Sequence, residues 1–159
     1  MELREASTLE QVTKIIETDP VRRHIVSALR LKNGARVFYY GTPEDCKAAV
    51  CIHTSRIIPD SEEQLLTEYH YGGANLNGTK AIFYTVWATK KGFGLGRQVL
   101  NASLSQLIIE NNHDRYITLS PKGDLVRKFH EKNGAKLIRE SLWANNFEYE
   151  IRHGRHTND

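Results

Sequence analysis

The chain has 159 residues, 40% apolar and 26% charged, the balance of a globular protein that can bury a core of its own. Its 22 lysines and arginines exceed its 19 acidic residues by three, a surplus that suits a small anionic ligand and is too slight to argue for nucleic acid. No apolar run reaches the ~18 residues of a membrane span, and the opening Met1 to Glu5 lacks the basic-then-apolar order of a signal peptide, so a cytoplasmic protein that does not enter a membrane is expected.

Met1 to Ala6 reads as a short strand. Ser7 then opens a helix, with Glu10 completing a capping box and Leu9, Val12, Ile15 and Ile16 forming its apolar face. Asp19-Pro20 starts a second helix, Asp19 as cap and Pro20 in the first position. Its buried face is Val21, Ile25, Ala28 and Leu29, and Asn33-Gly34 ends it. Ala35 to Tyr40 and Lys47 to Thr54 are rich in strand formers around a turn at Gly41 to Asp45, which predicts an antiparallel hairpin. Cys46 and Cys51 within it read as free thiols. Their spacing with His53 matches no usual zinc pattern, so no metal is expected.

Residues 56–79 are the least regular. Glu62 to Thr67 suggests a short helix that the stretch Glu68-Tyr69-His70-Tyr71-Gly72-Gly73 breaks, and Asn77-Gly78 reads as a tight turn. A segment of that length inside a compact domain is often functional. Ala81 to Ala88 is then a strand, Arg97 to Glu110 a helix, Tyr116 to Ser120 a strand, and Asp124 to Lys132 a helix stopped by Asn133-Gly134. Ala135 to Leu142 and Asn146 to Ile151 form a closing hairpin. One domain over 1–152 is expected, with 153–159 a disordered tail. The order implies an α+β, mixed-sheet fold.

Three alternate glycines, Gly92, Gly94 and Gly96, sit at the corner between strand and helix. They fit neither the phosphate loop with its following Lys-Ser/Thr nor the dinucleotide fingerprint. Such a corner serves either helix–sheet packing or an anion. Unpaired amides and the helix dipole favour negative charge there, glycines let the main chain wrap it, and Lys90, Lys91 and Arg97 add positive charge.

The run Val86-Trp-Ala-Thr-Lys-Lys91-Gly-Phe-Gly94-Leu-Gly96-Arg97 resembles the acyl-CoA motif of the GNAT superfamily of N-acyltransferases, Arg/Gln-x-x-Gly-x-Gly/Ala, with Lys91 in place of arginine or glutamine. Downstream, Ile117 to Pro121 and Phe129-His130-Glu-Lys-Asn-Gly134-Ala135 are similar to the family's strand, helix and Tyr-x-x-x-Gly-Phe echo. The resemblance implies a GNAT-like fold, a mostly antiparallel mixed sheet splayed between its fourth and fifth strands and flanked by helices. It implies that amides of Gly92, Phe93, Gly94, Leu95, Gly96 and Arg97, with Lys91, hold the CoA pyrophosphate, and that Val86, Trp87 and Ala88 line the pantetheine. The activity implied is acetyl transfer from acetyl-CoA to a primary amine of a small molecule or protein by direct attack in a ternary complex. A non-catalytic acyl-CoA-binding module is the alternative. A homodimer is allowed, since final strands of such proteins often pair between subunits.

His130 stands where the family has the tyrosine that protonates the leaving thiolate; imidazole, with an ordinary pKa near neutral, could replace it, or could be a plain helix-surface residue. Gly123 and Ala135 also depart from the pattern. For the base that strips the ammonium, Glu68, His70, His53 and Tyr84 are candidates, strand alternation placing Tyr84 on the face of Val86 and Ala88. Glu68 could also attract the amine. Nucleic acid is not expected, since no basic stripe is interleaved with aromatic residues.

Overall fold

The computed structural model describes residues 1–31, 34–71 and 80–150, with side chains described outside 67–71. Seven strands form one sheet: β1 (Arg4–Glu5), β2 (Arg36–Gly41), β3 (Cys46–Ser55), β4 (Lys80–Ala88), β5 (Arg115–Thr118), β6 (Lys136–Glu140) and β7 (Asn145–Tyr149). Four α-helices pack on it: α1 (Leu9–Ile16), α2 (Glu62–Tyr71), α3 (Leu95–Glu110) and α4 (Asp124–Lys132). The spatial order is β1-β2-β3-β4-β5-β7-β6, with β4 and β5 parallel and every other pair antiparallel. The mixed α+β architecture is the one expected.

The sheet separates two cores. On one face Val12, Ile15 and Ile16 of α1 meet Val37, Tyr39, Ala49, Ile82 and Ile117; on the other, Val99, Leu100, Leu104 and Leu107 of α3 meet Phe38, Val50, Phe83, Phe147 and Tyr149. At the edge of the sheet Arg36 ties β2 to β1 and α3 through Glu5 and Glu110 at 2.5–3.0 Å.

Four local readings need correction. The first helix is capped by Thr8, which pairs reciprocally with Gln11, rather than by Ser7 and Glu10; Gln11, three residues after Thr8, reaches back to the amides of both Ser7 and Thr8. No α-helix follows Asp19-Pro20. Residues 20–26 turn irregularly and only Ser27–Arg30 forms a 3-10 turn. Asp19 does cap, accepting from the amides of Val21 and Arg22 at 2.7 and 3.1 Å. However, the carbonyls of Arg22 and Ile25, which helix propagation would use, accept from the Arg30 guanidinium at 2.5 and 2.9 Å. A buried side chain thus outbids the local ladder. Third, α2 continues through Glu68 to Tyr71, since tyrosine and histidine carry only modest helix penalties; the expected turns at Gly72-Gly73 and Asn77-Gly78 lie outside the described residues, as does the expected tail.

The fourth concerns β4. Cys51 pairs with Thr85 but Ile52 pairs with Phe83, so Tyr84 is an extra residue, a β-bulge. The bulge breaks alternation. Tyr84 packs with Ile82 and Trp87 in the first core, whereas Val86 and Ala88 lie against the second. Tyr84 therefore does not share the face of Val86 and Ala88.

Candidate active site

Strands β4 and β5 run side by side only from Lys80↔Arg115 to Phe83↔Thr118. One more bond follows, the Leu119 amide donating to Phe83 O at 2.9 Å. Beyond it the strands diverge, leaving residues 85–88 with a main-chain edge that no strand of the described residues covers. The expected splay is present.

A guanidinium occupies its apex. Arg22 Nε donates to Tyr84 O at 2.7 Å and Nη2 donates to Leu119 O at 3.0 Å, one carbonyl from each diverging strand. The bulge and the cation thus replace the ladder bonds that separation removes. Nη1 pairs with Glu62 of α2 at 2.8 Å, and Glu62 also meets His24. Burial alone would raise the Glu62 carboxyl, but His24 and Arg22 hold it below its ordinary range. Neither Arg22 nor Glu62 stands out in the sequence. Their role depends on contacts 62 and 97 residues away for Arg22.

The splay opens into a cleft of about 590 Å³. Phe83, Val86, Leu119, Leu125, Val126 and Phe129 give it apolar walls, and Lys90, Lys91, Arg97 and Lys132 stand around it. Of the residues predicted to hold a ligand, Val86, Trp87, Ala88, Lys91, Gly92, Gly94, Leu95, Gly96 and Arg97 line this one cleft. Phe93 does not; its ring is 65% exposed at the corner. Gly92 and Gly94 have φ of 91° and 68°, the left-handed region where a side chain is strained. Gly94 is the N-cap of α3 and offers no side chain to the first-turn amides. Those amides and the dipole are therefore free for an anion, and the residues fit a pyrophosphate. Gly96 differs: a Cβ there would stand 4.0 Å from Ala88 Cβ and Val86 Cγ1, ordinary contact. Packing does not demand glycine at 96.

His130 of α4 also lines the cleft, yet is only 5% exposed. Its ring stacks on Phe147 at 5.1 Å and meets Phe129 edge-on at 5.0 Å. Nδ1 lies 2.8 Å from the Tyr149 hydroxyl. Nε2 has no hydrogen-bond partner among the described residues and is not sealed from solvent, so it is the nitrogen that the cleft reaches. Burial pushes the imidazole pKa down to about 4, which corrects the expectation of a near-neutral acid. The ring is uncharged at pH 7 and offers a hydrogen bond rather than a labile proton.

That shift has a stability consequence. The unfolded chain takes up a proton on this histidine near pH 6.5 and the folded chain only near 4, so stability is lost as pH falls through that window. Urea unfolding at pH 7 and 4.5 should show wild type losing about 2 kcal/mol more than His130→Phe. Equal losses would place the imidazole in water.

Of the other base candidates, Tyr84 is also among the residues that line the cleft, with its ring packed in the first core. His53 is buried and absent from the cleft wall; together with Tyr84 it borders a small void of about 10 Å³ among Ile25, Leu29, Leu65 and Leu66. Burial pushes the Tyr84 phenol well above its ordinary pKa, which suits a neutral donor and not a base. The Glu68 and His70 side chains lie outside the described residues. Cys46 and Cys51 are free buried thiols, pushed up to about 11 by burial. Among the described residues no cluster of three metal-ligating side chains occurs and no helix is long and apolar enough to cross a membrane.

Neither a family model nor a curated protein matches the sequence. Solved structures do. The chain is similar to malonyl-CoA decarboxylase from Agrobacterium vitis, with a TM-score of 0.72 at 15% identity over 94% of this chain and 60% of that one. It is similar to the GphF GNAT-like decarboxylase in complex with isobutyryl-CoA, with a TM-score of 0.73 at 11% identity over 96% and 100%. PaiA N-acetyltransferase from Thermoplasma acidophilum, in complex with coenzyme A, matches with a TM-score of 0.62 at 10% identity over 95% and 100%. The fold is GNAT-like. The chain spans about 60% of the length of the A. vitis decarboxylase it matches. Structures of this fold thus include enzymes of acyl-CoA that transfer acetyl groups and others that decarboxylate.

Proposed function

We propose that this chain binds an acyl-CoA thioester between β4 and β5 and removes carbon dioxide from an α-carboxyacyl group of the malonyl type. The observation that carries the reading is His130, a neutral imidazole with Nε2 open to an apolar cleft. The amides around Gly92 to Arg97, with Lys91, hold the pyrophosphate, and the uncovered edge of residues 85–88 pairs with the pantetheine arm as an added strand. In the reaction the bond between the α-carbon and the carboxylate carbon breaks. Its electron pair moves toward the thioester carbonyl, carbon dioxide leaves, and the resulting enolate carbon takes a proton from water to give the acetyl thioester. Charge gathers on the carbonyl oxygen, where an uncharged N–H of His130 in a low-dielectric cleft lowers the barrier. Walls of Phe83, Leu119, Val126 and Phe129 disfavour the localised carboxylate charge relative to the spread enolate. Neighbours named as decarboxylases, at TM-scores of 0.72 and 0.73, support the choice.

Acetyl transfer from acetyl-CoA to a primary amine is the second reading. It is favoured by a groove of about 650 Å³ that Asp60, Glu62 and Glu63 line beside Ser141, Leu142 and Trp143, an acidic wall that suits an ammonium. Through Glu62 that wall connects to Arg22 at the apex. This reaction requires a base and an acid for the thiolate, a task for which neutral His130 is poorly suited.

The two reactions differ in what becomes of the thioester. Incubation with malonyl-CoA, followed by mass spectrometry, should yield acetyl-CoA and carbon dioxide without release of free thiol. His130→Phe should lower turnover about 100- to 1000-fold, the usual loss when one oxyanion donor is removed. Thiol release from acetyl-CoA with an amine, and intact malonyl-CoA, would establish acetyl transfer instead. CoA affinity with neither reaction would leave the binding module.

A further inference from the structure

A continuous set of hydrogen bonds links the anion corner to the inner end of the cleft. Arg97 Nε donates to Asn133 Oδ1 at 3.1 Å, and Asn101 Nδ2 donates to the same oxygen at 3.0 Å. Asn133 Nδ2 donates to Asn101 Oδ1 at 2.9 Å and to the Tyr149 hydroxyl at 3.2 Å. The Tyr149 hydroxyl then lies 2.8 Å from His130 Nδ1. The orientation of the Asn133 amide follows from chemistry, because Arg97 Nε can only donate and must face an oxygen. The nitrogen end is therefore turned to the phenol. Having accepted from Asn133, the phenol still has its own hydrogen to give, and Nδ1 stands within reach of it.

We propose that Arg97, Asn133 and Tyr149 are positioning residues that lock His130 in the tautomer carrying its hydrogen on Nε2, the nitrogen facing the cleft. The opposite tautomer would put a lone pair there and repel a developing oxyanion, so this chain of bonds decides whether His130 is a donor or an acceptor. Arg97 has a second contact to give. Nε is committed to Asn133 while neither Nη makes a hydrogen bond to the described residues, so the same guanidinium can meet an anion at the glycine corner. An occupied cradle then firms the hold on Asn133. The site serves a phosphate-bearing thioester with both ends engaged at once. The inference rests on the cleft being the acyl-CoA site, but its test does not depend on turnover.

The decisive variant is Asn133→Asp. A carboxylate of almost the same shape still accepts from Arg97 and Asn101 but has no hydrogen for the phenol. Tyr149 then donates to that carboxylate and accepts from Nδ1, and the tautomer inverts. Nitrogen NMR of histidine-labelled protein at pH 7 should show His130 protonated on Nε2 in wild type and on Nδ1 in Asn133→Asp. An Nδ1-protonated wild type, or a tautomer unmoved by Asn133→Asp, overturns the proposal. Should Asn133→Asp fail to fold, Tyr149→Phe serves instead. It should give a mixture of tautomers, and a single unchanged Nε2–H form would overturn the proposal equally. Titrating CoA into the same wild-type sample separates the two ideas: absence of binding defeats the acyl-CoA reading and leaves the tautomer result standing.

Discussion

Replacing Arg30 with methionine should lower the free energy of unfolding by about 3–5 kcal/mol. Arg30 and Asp19 are both fully buried, paired at 2.8 Å, and their bonds are shared widely. Arg30 also donates to Ile25 O and Arg22 O, while Asp19 accepts from Val21 N, Arg22 N and Thr85 Oγ1. Methionine matches the bulk of the stem but leaves a carboxylate without its cation and the Ile25 carbonyl without its donor, while Arg22 O keeps only the Ile25 amide, which is the expensive way to break a buried pair. Adding Asp19→Asn to Arg30→Met should recover part of the loss, because the amide carries no charge. Urea unfolding at pH 7 measures both, and a loss below about 1 kcal/mol for Arg30→Met would show that water reaches the pair. The consequence extends to the cleft. Arg22 is gripped through its amide by Asp19 and through its carbonyl by Arg30, and this grip delivers its guanidinium to the apex between β4 and β5.

Local signals carry much of the site. The alternation of Gly92, Gly94 and Gly96 locates the corner, and Asn133-Gly134 stops α4 at Lys132 where the helix does end. The resemblance of Phe129 to Ala135 to the GNAT pattern points to His130 as a residue of the cleft. What escapes the sequence is set by distant partners. The segment after Asp19 has helical spacing, but its carbonyls are claimed by Arg30, a competition that periodicity does not encode. Tyr84 falls on the unexpected face because one residue bulges, and no residue in Ile82 to Val86 announces it. The imidazole of His130 reads as a neutral-range acid in the sequence because Phe147 and Tyr149, which enclose it together with Phe129, come from β7. Arg22 meets Glu62 at the apex, and Asn133 meets Tyr149 beside His130, each pair only through the fold.

The second large effect is expected at Gly96. A glutamate there has room, since its Cβ would sit 4.0 Å from Ala88 and Val86, and a carboxylate in the first turn of α3 is worth about 0.3–1 kcal/mol to the helix. The fold should therefore hold, without the strain that a side chain would meet at Gly94 with its φ of 68°. The ligand fares differently. A carboxylate about 5 Å from a phosphate charge costs about 3 kcal/mol at the effective dielectric of a protein surface, before any steric conflict in the narrow space between α3 and β4. Calorimetric titration of CoA into wild type and Gly96→Glu, with melting temperatures taken on the same samples, decides whether the phosphates lie at this corner. Clear binding by wild type is expected, with affinity at least about 100-fold weaker in Gly96→Glu and melting of the ligand-free variant unchanged or slightly raised. Equal affinity in the two would contradict it, for the corner would then not be where the phosphates lie.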